Sequence, residues 1–337
     1  MMVCYNHFMQ KIAFIILLTL LTIISLPSQA VPPERLQTIQ TKLDSLTAPY
    51  GKKIGIAFID LNSNTFFHIN GSAEYPAASV AKVPVMATAY YFQDAGKADL
   101  EKKLTYRKED RLGGSGVLQW MRPGNSYTMR NLIRMMISLS DNTATKMTVD
   151  EIGLENINTY IKHLGLNNTT IADSTMLKER PEPGINLTSP LDMAYLTLQI
   201  EHPQGFSDKS RQEMLKFMKN QRYHWGIWRG VPPGTVVADK TGNLDKVLND
   251  VGIVYTKHGN FILSIFTRDF TKQRDARKLI NEVTKVCYEG FTGEKVPEIV
   301  AKKSAPKKYK RSKKVKKKRI TKKKSRSKRR NNRVGHL

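Results

Sequence analysis

Residues 74–96 read EYPAASVAKVPVMATAYYFQDAG. From Ser79 onward, Val80, Val83, Val85, Met86, Ala89 and Tyr90 recur at three- and four-residue intervals, the spacing of a helix. Pro76 suits the approach to a helix start, while Ala77 and Ala78 offer no side-chain cap. Residues three apart share a helix face, so this spacing brings the Lys82 amine beside the Ser79 hydroxyl. A serine hydroxyl attacks only when a neighbouring base takes its proton. Lysine can be that base when burial or nearby cations depress its pKa. At the opening of a helix, Ser79 also has free backbone N–H groups around it that favour developing negative charge.

Outward from this stretch, composition separates a body from a tail. The chain has 337 residues, is 40% hydrophobic and carries a net charge of +26. That hydrophobic content supports a real core. Residues 301–337 hold 20 Lys or Arg and no acid, so residues 1–300 carry only +6. Residues 296–337 are expected to be disordered, because strong self-repulsion meets few apolar side chains. Such a tail attracts polyanions, here anionic cell-envelope polymers or nucleic acid, without sequence reading, since Tyr309 is its only aromatic. At the other end, Lys11, the apolar run 12–26 and Ser28-Gln29-Ala30 predict a signal peptide cleaved after Ala30, hence an exported protein. Cys4 leaves with it, and Cys287 alone cannot form an internal disulfide. Its place in a helical pattern makes it a packing residue. A monomer is expected.

Between these ends, a helix is predicted over 33–48, with Leu36, Ile39, Leu43 and Leu46 on one face. Strands at 52–61 and 65–70 follow as a hairpin. Residues 99–150 read as mostly helical with polar loops, including an amphipathic helix over 128–138. A further helix covers 143–164, and 171–190 is a loop with three prolines and a glycine before the helix at 187–200. Ser189 caps that helix and Pro190 takes its first position. A helix over 208–222 precedes strands at 234–242, 250–257 and 261–269, and a helix over 272–291 closes the body. The fold class is therefore α+β. One five-stranded, largely antiparallel sheet (31–75 and 232–295) receives an inserted helical part (76–231), together making a domain over 31–295.

S-x-x-K alone is weak, because most such pairs are solvated helix faces. Two further triplets change its weight: Ser140-Asp141-Asn142 in ISLSDNTATKM, and Lys240-Thr241-Gly242 in TVVADKTGNLD. Each of the two triplets occurs once, and they follow Ser79-Val80-Ala81-Lys82 in that order. The chain thereby resembles the class A β-lactamases and penicillin-binding proteins over roughly residues 33–290, including TMRNLIRMMISLSDNTATK and the GSGVLQW stretch. The resemblance implies that Ser79 is the nucleophile, Lys82 its base, and Ser140 the relay to the leaving nitrogen. Asn142 would bond a substrate amide and the lysine, with Asp141 bracing the loop. Lys240 and Thr241, at the rim of a cleft, would hold a substrate carboxylate. Gly242 would let substrate lie close along the strand. The backbone N–H groups of Ser79 and Asn243 would form the oxyanion hole.

The loop departs from the family's pattern. Class A β-lactamases have a glutamate there, followed four residues on by an asparagine, and the two hold the deacylating water. Glu182 and Asn186 fit that spacing, so Glu182 is the acid expected to activate that water, with Glu179 the other nearby acid. Counting forward from Ser140 instead puts the expected acid near Met176. With no acid in place, acylation still occurs and deacylation is slow.

Other chemistries lack their signatures. The glycines at 113–116 follow no strand and lack the ending of a phosphate loop. The seven histidines show no metal-ligand spacing, and no serine sits in a G-x-S-x-G elbow. Neither metal nor cofactor is expected. Trp225 and Trp228 are read as packing. Three functions stay open: a serine hydrolase opening β-lactams, a D-Ala-D-Ala peptidase or slow penicillin-binding relative acting on peptidoglycan peptides, and a polyanion-binding wall protein with a vestigial site.

Overall fold

The computed structural model describes residues 31–176, 184–202 and 205–297. The predicted signal peptide, Glu179, Glu182 and the basic tail lie outside them.

Helix α1 (Pro33–Thr47) starts on a proline at its first position and buries Leu36, Ile39 and Leu43. It packs on the closing helix α8 (Gln273–Thr292), where Gly290 leaves the room that Ile39 fills. Beneath them lies a five-stranded sheet of β1 (Ile54–Asp60), β2 (Phe66–Ile69), β7 (Val236–Leu244), β8 (Val247–Thr256) and β9 (Gly259–Thr267). The strands run in the order β2-β1-β9-β8-β7, with every pair antiparallel.

Every residue of β1 is buried. Ile54, Ile56 and Phe58 face α1 and α8, whereas Ala57 and Ile59 join the core on the helical side. The alternation of a strand thus serves two cores at once. Phe58 stacks on Phe67 and Phe261. Each such buried aliphatic or aromatic side chain contributes about 1.5–3 kcal/mol.

The helical part is centred on α2 (Lys82–Asp94), buried continuously from Lys82 to Tyr90. Around it lie α3 (Met129–Ser138), α4 (Asn142–Ile152), α5 (Leu154–His163), α6 (Pro190–Glu201) and α7 (Asp208–Lys219). Ser189 caps α6 as expected, accepting from the Asp192 N–H.

Three expectations need correction. The helix expected over 143–164 is two helices, broken at Gly153, whose φ of 86° a helix cannot continue through. Residues 99–150 also hold a small antiparallel pair, β4 (Lys103–Thr105) with β5 (Ser126–Thr128). Leu187-Thr188, read as a helix start, form β6 and pair with β3 (Tyr75–Pro76). That short ladder ties the loop to the chain entering the Ser79 turn.

Candidate active site

The turn bearing Ser79 is anchored before it begins. The Ala77 N–H donates to the Asn186 carbonyl at 2.8 Å, and Asn249 Nδ2 donates to the carbonyls of Pro76 and Ala77 at 2.8 and 3.1 Å. Ser79 then lies in a 3-10 turn (Ala78–Ala81), not in the α-helix itself, which starts at Lys82. The difference matters, because three residues per turn eclipses side chains i and i+3. Lys82 Nζ is accordingly 3.1 Å from Ser79 Oγ.

Lys82 is fully buried, and its other neighbours come from the Ser140 bend. Nζ donates to the Ser140 carbonyl at 2.7 Å and to Asn142 Oδ1 at 2.8 Å, and lies 3.1 Å from Ser140 Oγ. The two carbonyl oxygens can only accept. They take two N–H bonds, and a neutral amine then has one lone pair left, directed at the hydroxyls. Burial pulls the Lys82 pKa well below its usual range, the charge of Lys240 adds to this, and Asp141 opposes it.

Ser140 has φ 51°, in the left-handed region, just past the end of α3. A non-glycine residue there costs about 1–2 kcal/mol. The strain aims its hydroxyl between two lysines, with Lys240 Nζ at 3.2 Å on the other side. Asp141 braces the bend: its carboxylate accepts from the N–H groups of Val117, Leu118 and Ala144 at 2.6–2.9 Å. Asn142 is fixed by Nδ2 donating to the Gly113 carbonyl at 2.9 Å.

Lys240 was expected at the rim of the cleft, but the structure buries it completely. Its ammonium donates to its neighbour's carbonyl, Thr241 O, at 2.7 Å, and burial pulls its pKa down to about 8 against the pull of Asp239 and Asp250. Gly242 faces the Ser79 turn. A Cβ there would meet Ala77 O, Ala78 and Val80 at 3.1–3.2 Å, so its bareness also lets β7 approach the Ser79 turn. Thr241 and Asn243 line a small cavity of about 60 Å³ together with Ser79, Ser140, Ser115, Tyr223 and Trp225.

Ser115, Tyr223 and Trp225 were not singled out from sequence as site residues. The aromatic cluster YHWGIW before β7 was the available signal. Trp225 and Trp228 both pack against the core beneath α1 and α8, Trp228 with the His224 ring stacked on it at 4.2 Å, and Trp225 also lines the cavity, under Arg277.

Asn186 reaches the loop but not the water-holding role expected of it. Its Oδ1 accepts from the N–H groups of Ala172 and Asp173, and its Nδ2 donates to the Asp173 carbonyl and the Met176 sulfur. All four hydrogen-bonding capacities of the amide are taken. Glu182 falls outside the described residues. Cys287 is buried in α8, which raises its thiol pKa. Among the described residues no group of His, Cys, Asp or Glu is placed to hold a metal ion.

A hydroxyl beside a buried amine whose pKa is depressed, a second hydroxyl between two lysines and a buried lysine next to a threonine suit acyl transfer to serine. A sequence profile of the β-lactamase enzyme family matches residues 38–291. The CTX-M-97 β-lactamase of Escherichia coli is 23% identical over 296 residues, covering 84% of this chain and 99% of its own. A point mutant of PBP-A, solved as an acyl-enzyme complex with penicillin G, is 29% identical with a TM-score of 0.71. It covers 78% of this chain and 100% of its own. The β-lactamase of Sphaerobacter thermophilus also superposes with a TM-score of 0.71 at 28% identity, covering 77% of this chain and 99% of its own.

Proposed function

The chain belongs to the β-lactamase enzyme family of serine hydrolases, and from that premise we propose that it opens β-lactam rings through an acyl-enzyme on Ser79. The observation that carries this is the position of Lys82 Nζ, 3.1 Å from both Ser79 Oγ and Ser140 Oγ, with two carbonyl oxygens occupying its N–H groups. Ser79 Oγ attacks the lactam carbonyl carbon and its proton goes to Lys82 Nζ. Ser140 passes that proton to the ring nitrogen as the C–N bond breaks. Lys240 and Thr241 hold the substrate carboxylate, and the N–H groups of Ser79 and Asn243 receive the oxyanion. The basic tail and the leader favour an exported protein, acting as a monomer close to anionic envelope polymers.

A second reading, a slow penicillin-binding or D-Ala-D-Ala peptidase relative, is favoured by the group that Asn186 touches. A thioether cannot activate water, so the acyl-enzyme would persist. A fluorescent penicillin and a chromogenic cephalosporin test both. The penicillin should label the wild type and not Ser79→Ala. A label that outlasts gel analysis with little cephalosporin turnover supports the slow enzyme, and fast turnover the efficient one. Absence of label would sink the serine mechanism and leave a polyanion-binding protein with a vestigial site.

A further inference from the structure

Two buried acids behind the site have no part in the chemistry above. Asp239 immediately precedes Lys240 on β7. On β8, Asp250 is paired with Thr241 and Gly252 with Asp239, which puts the two acids on a diagonal of the ladder. Neither is exposed at all. Each uses one oxygen on a donor from the preceding loop: Trp228 Nε1 donates to Asp239 Oδ1 at 3.2 Å, and the Ile227 N–H donates to Asp250 Oδ2 at 2.7 Å. The remaining oxygens, Asp239 Oδ2 and Asp250 Oδ1, are buried and meet no N–H or hydroxyl donor.

Two carboxylates accept only, so two buried acids on one ladder diagonal can satisfy each other's orphaned oxygens only with a proton on one. The fit is tight on both sides. A Cβ at Gly226 would stand 2.0 Å from Asp250 Oδ2, and one at Gly252 would stand 2.7 Å from Asp239 Cβ.

We propose that Asp239 and Asp250 share one proton and act as a single buried negative charge that positions Lys240 and keeps it cationic beneath the serine site. This rests on the reading of that site given above. A fully buried ammonium without a counter-charge releases its proton. Two full negative charges here would overshoot one lysine, and two neutral acids would leave it alone; one shared proton balances it. Burial raises both acids, Asp250 to about 7, while both hold Lys240 up against its own burial. The charge on Lys240 in turn helps to keep Lys82 neutral. Lys82 and Asp141 face the same network from the helical side, and the His224 ring covers Trp228 from the loop. Asp239 and Asp250 are positioning residues, acting only through Lys240.

Asparagine distinguishes a shared proton from two charges. In Asp239→Asn or Asp250→Asn, the new amide keeps its accepted bond and donates to the surviving carboxylate, so one negative charge remains. In Asp239→Asn/Asp250→Asn the charge is gone, and one amide must turn away from its donor. The readout is penicillin acylation against pH, split into apparent affinity and limiting rate, alongside NMR titration of labelled lysine assigned with Lys240→Arg. Each single variant should keep the alkaline limb of the wild type. The double variant should move it down by about one pH unit and weaken penicillin binding about tenfold. A single variant that shifts the limb as far as the double one, or a double variant with no shift, overturns the proposal. If the double variant fails to fold, the single variants alone decide between one charge and two. An unlabelled wild type would defeat the serine reading instead, and the Lys240 titration would still test this one.

Discussion

Asn186 donates its side-chain N–H to the sulfur of Met176 at 2.9 Å, inside a loop whose chain is paired with the strand entering the Ser79 turn. Met176 is buried and sits at φ 60°. The position against Asn186 is the one where an acid could hold a water for deacylation, and it is filled by a side chain that cannot take a proton. Met176→Glu should therefore shorten the life of the penicilloyl label by about tenfold or more, since general-base catalysis contributes roughly 10²–10⁴. Met176→Leu should not. Glu182→Gln should change the lifetime less than about twofold. A chase of labelled protein with unlabelled penicillin measures all three. A trapped label in Glu182→Gln would move the base to that residue.

The two lysines set opposite limbs of a pH profile. Acylation needs Lys82 neutral, so its rate falls as pH drops through the depressed pKa of Lys82. Carboxylate binding needs Lys240 charged, so apparent affinity falls as pH rises through about 8. The second-order acylation rate constant should be bell-shaped, since it reports groups of the free enzyme. Lys240→Arg should lift the alkaline limb out of the measurable range, because arginine stays protonated. An alkaline limb unmoved in that variant would assign it to another group.

Much of this was legible in the chain. The hairpin, the three late strands and the closing helix announce themselves by period, and Ser79, Lys82, Ser140 and Lys240 by triplet spacing. The structure brings those four side chains together. Less legible were features set by tertiary contact. Nothing in GSGVLQW says that Ser115 lines the cavity, because its place depends on Asp141 gathering the Val117 and Leu118 amides. Gly242 reads as room for substrate, and its closeness to the Ser79 turn, remote in sequence, leaves no local trace. The break at Gly153 was masked because apolar spacing carries through it. The burial of Lys240 has no local signal, since the acids that compensate it come from two strands.

Asp141 is a fully buried brace whose loss should cost stability and activity together. Removing its carboxylate in Asp141→Ala leaves three backbone N–H groups without their acceptor. The Leu118 and Ala144 donors are buried, and each unsatisfied buried donor costs about 1–3 kcal/mol, so unfolding free energy should fall by about 2 kcal/mol or more. Asp141→Asn keeps two acceptor lone pairs and should lose about half of that. Denaturant melts of the two variants give the difference. Acylation should fall in the same order, because Ser140 and Asn142 lose their support. Equal stability of Asp141→Ala and wild type would mean that the bend holds without it.

Trp225 makes the site narrow. The cavity it lines with Tyr223 is about 60 Å³, and the Arg277 guanidinium lies 5.5 Å from the centre of its ring. A cation over an indole contributes about 0.5–2 kcal/mol, which pins the ring as a wall of the site. Trp225→Ala should open that wall while leaving Ser79, Lys82 and Ser140 in place. Acylation by β-lactams with bulky substituents should then rise about tenfold relative to small penicillins, the size of effect that pocket volume gives. Arg277→Ala should shift the same ratio in the same direction by less, since it frees the ring without removing it. The ratio of acylation rate constants for one small and one bulky penicillin measures both. A ratio that does not move in Trp225→Ala would place the substrate's bulk on another wall.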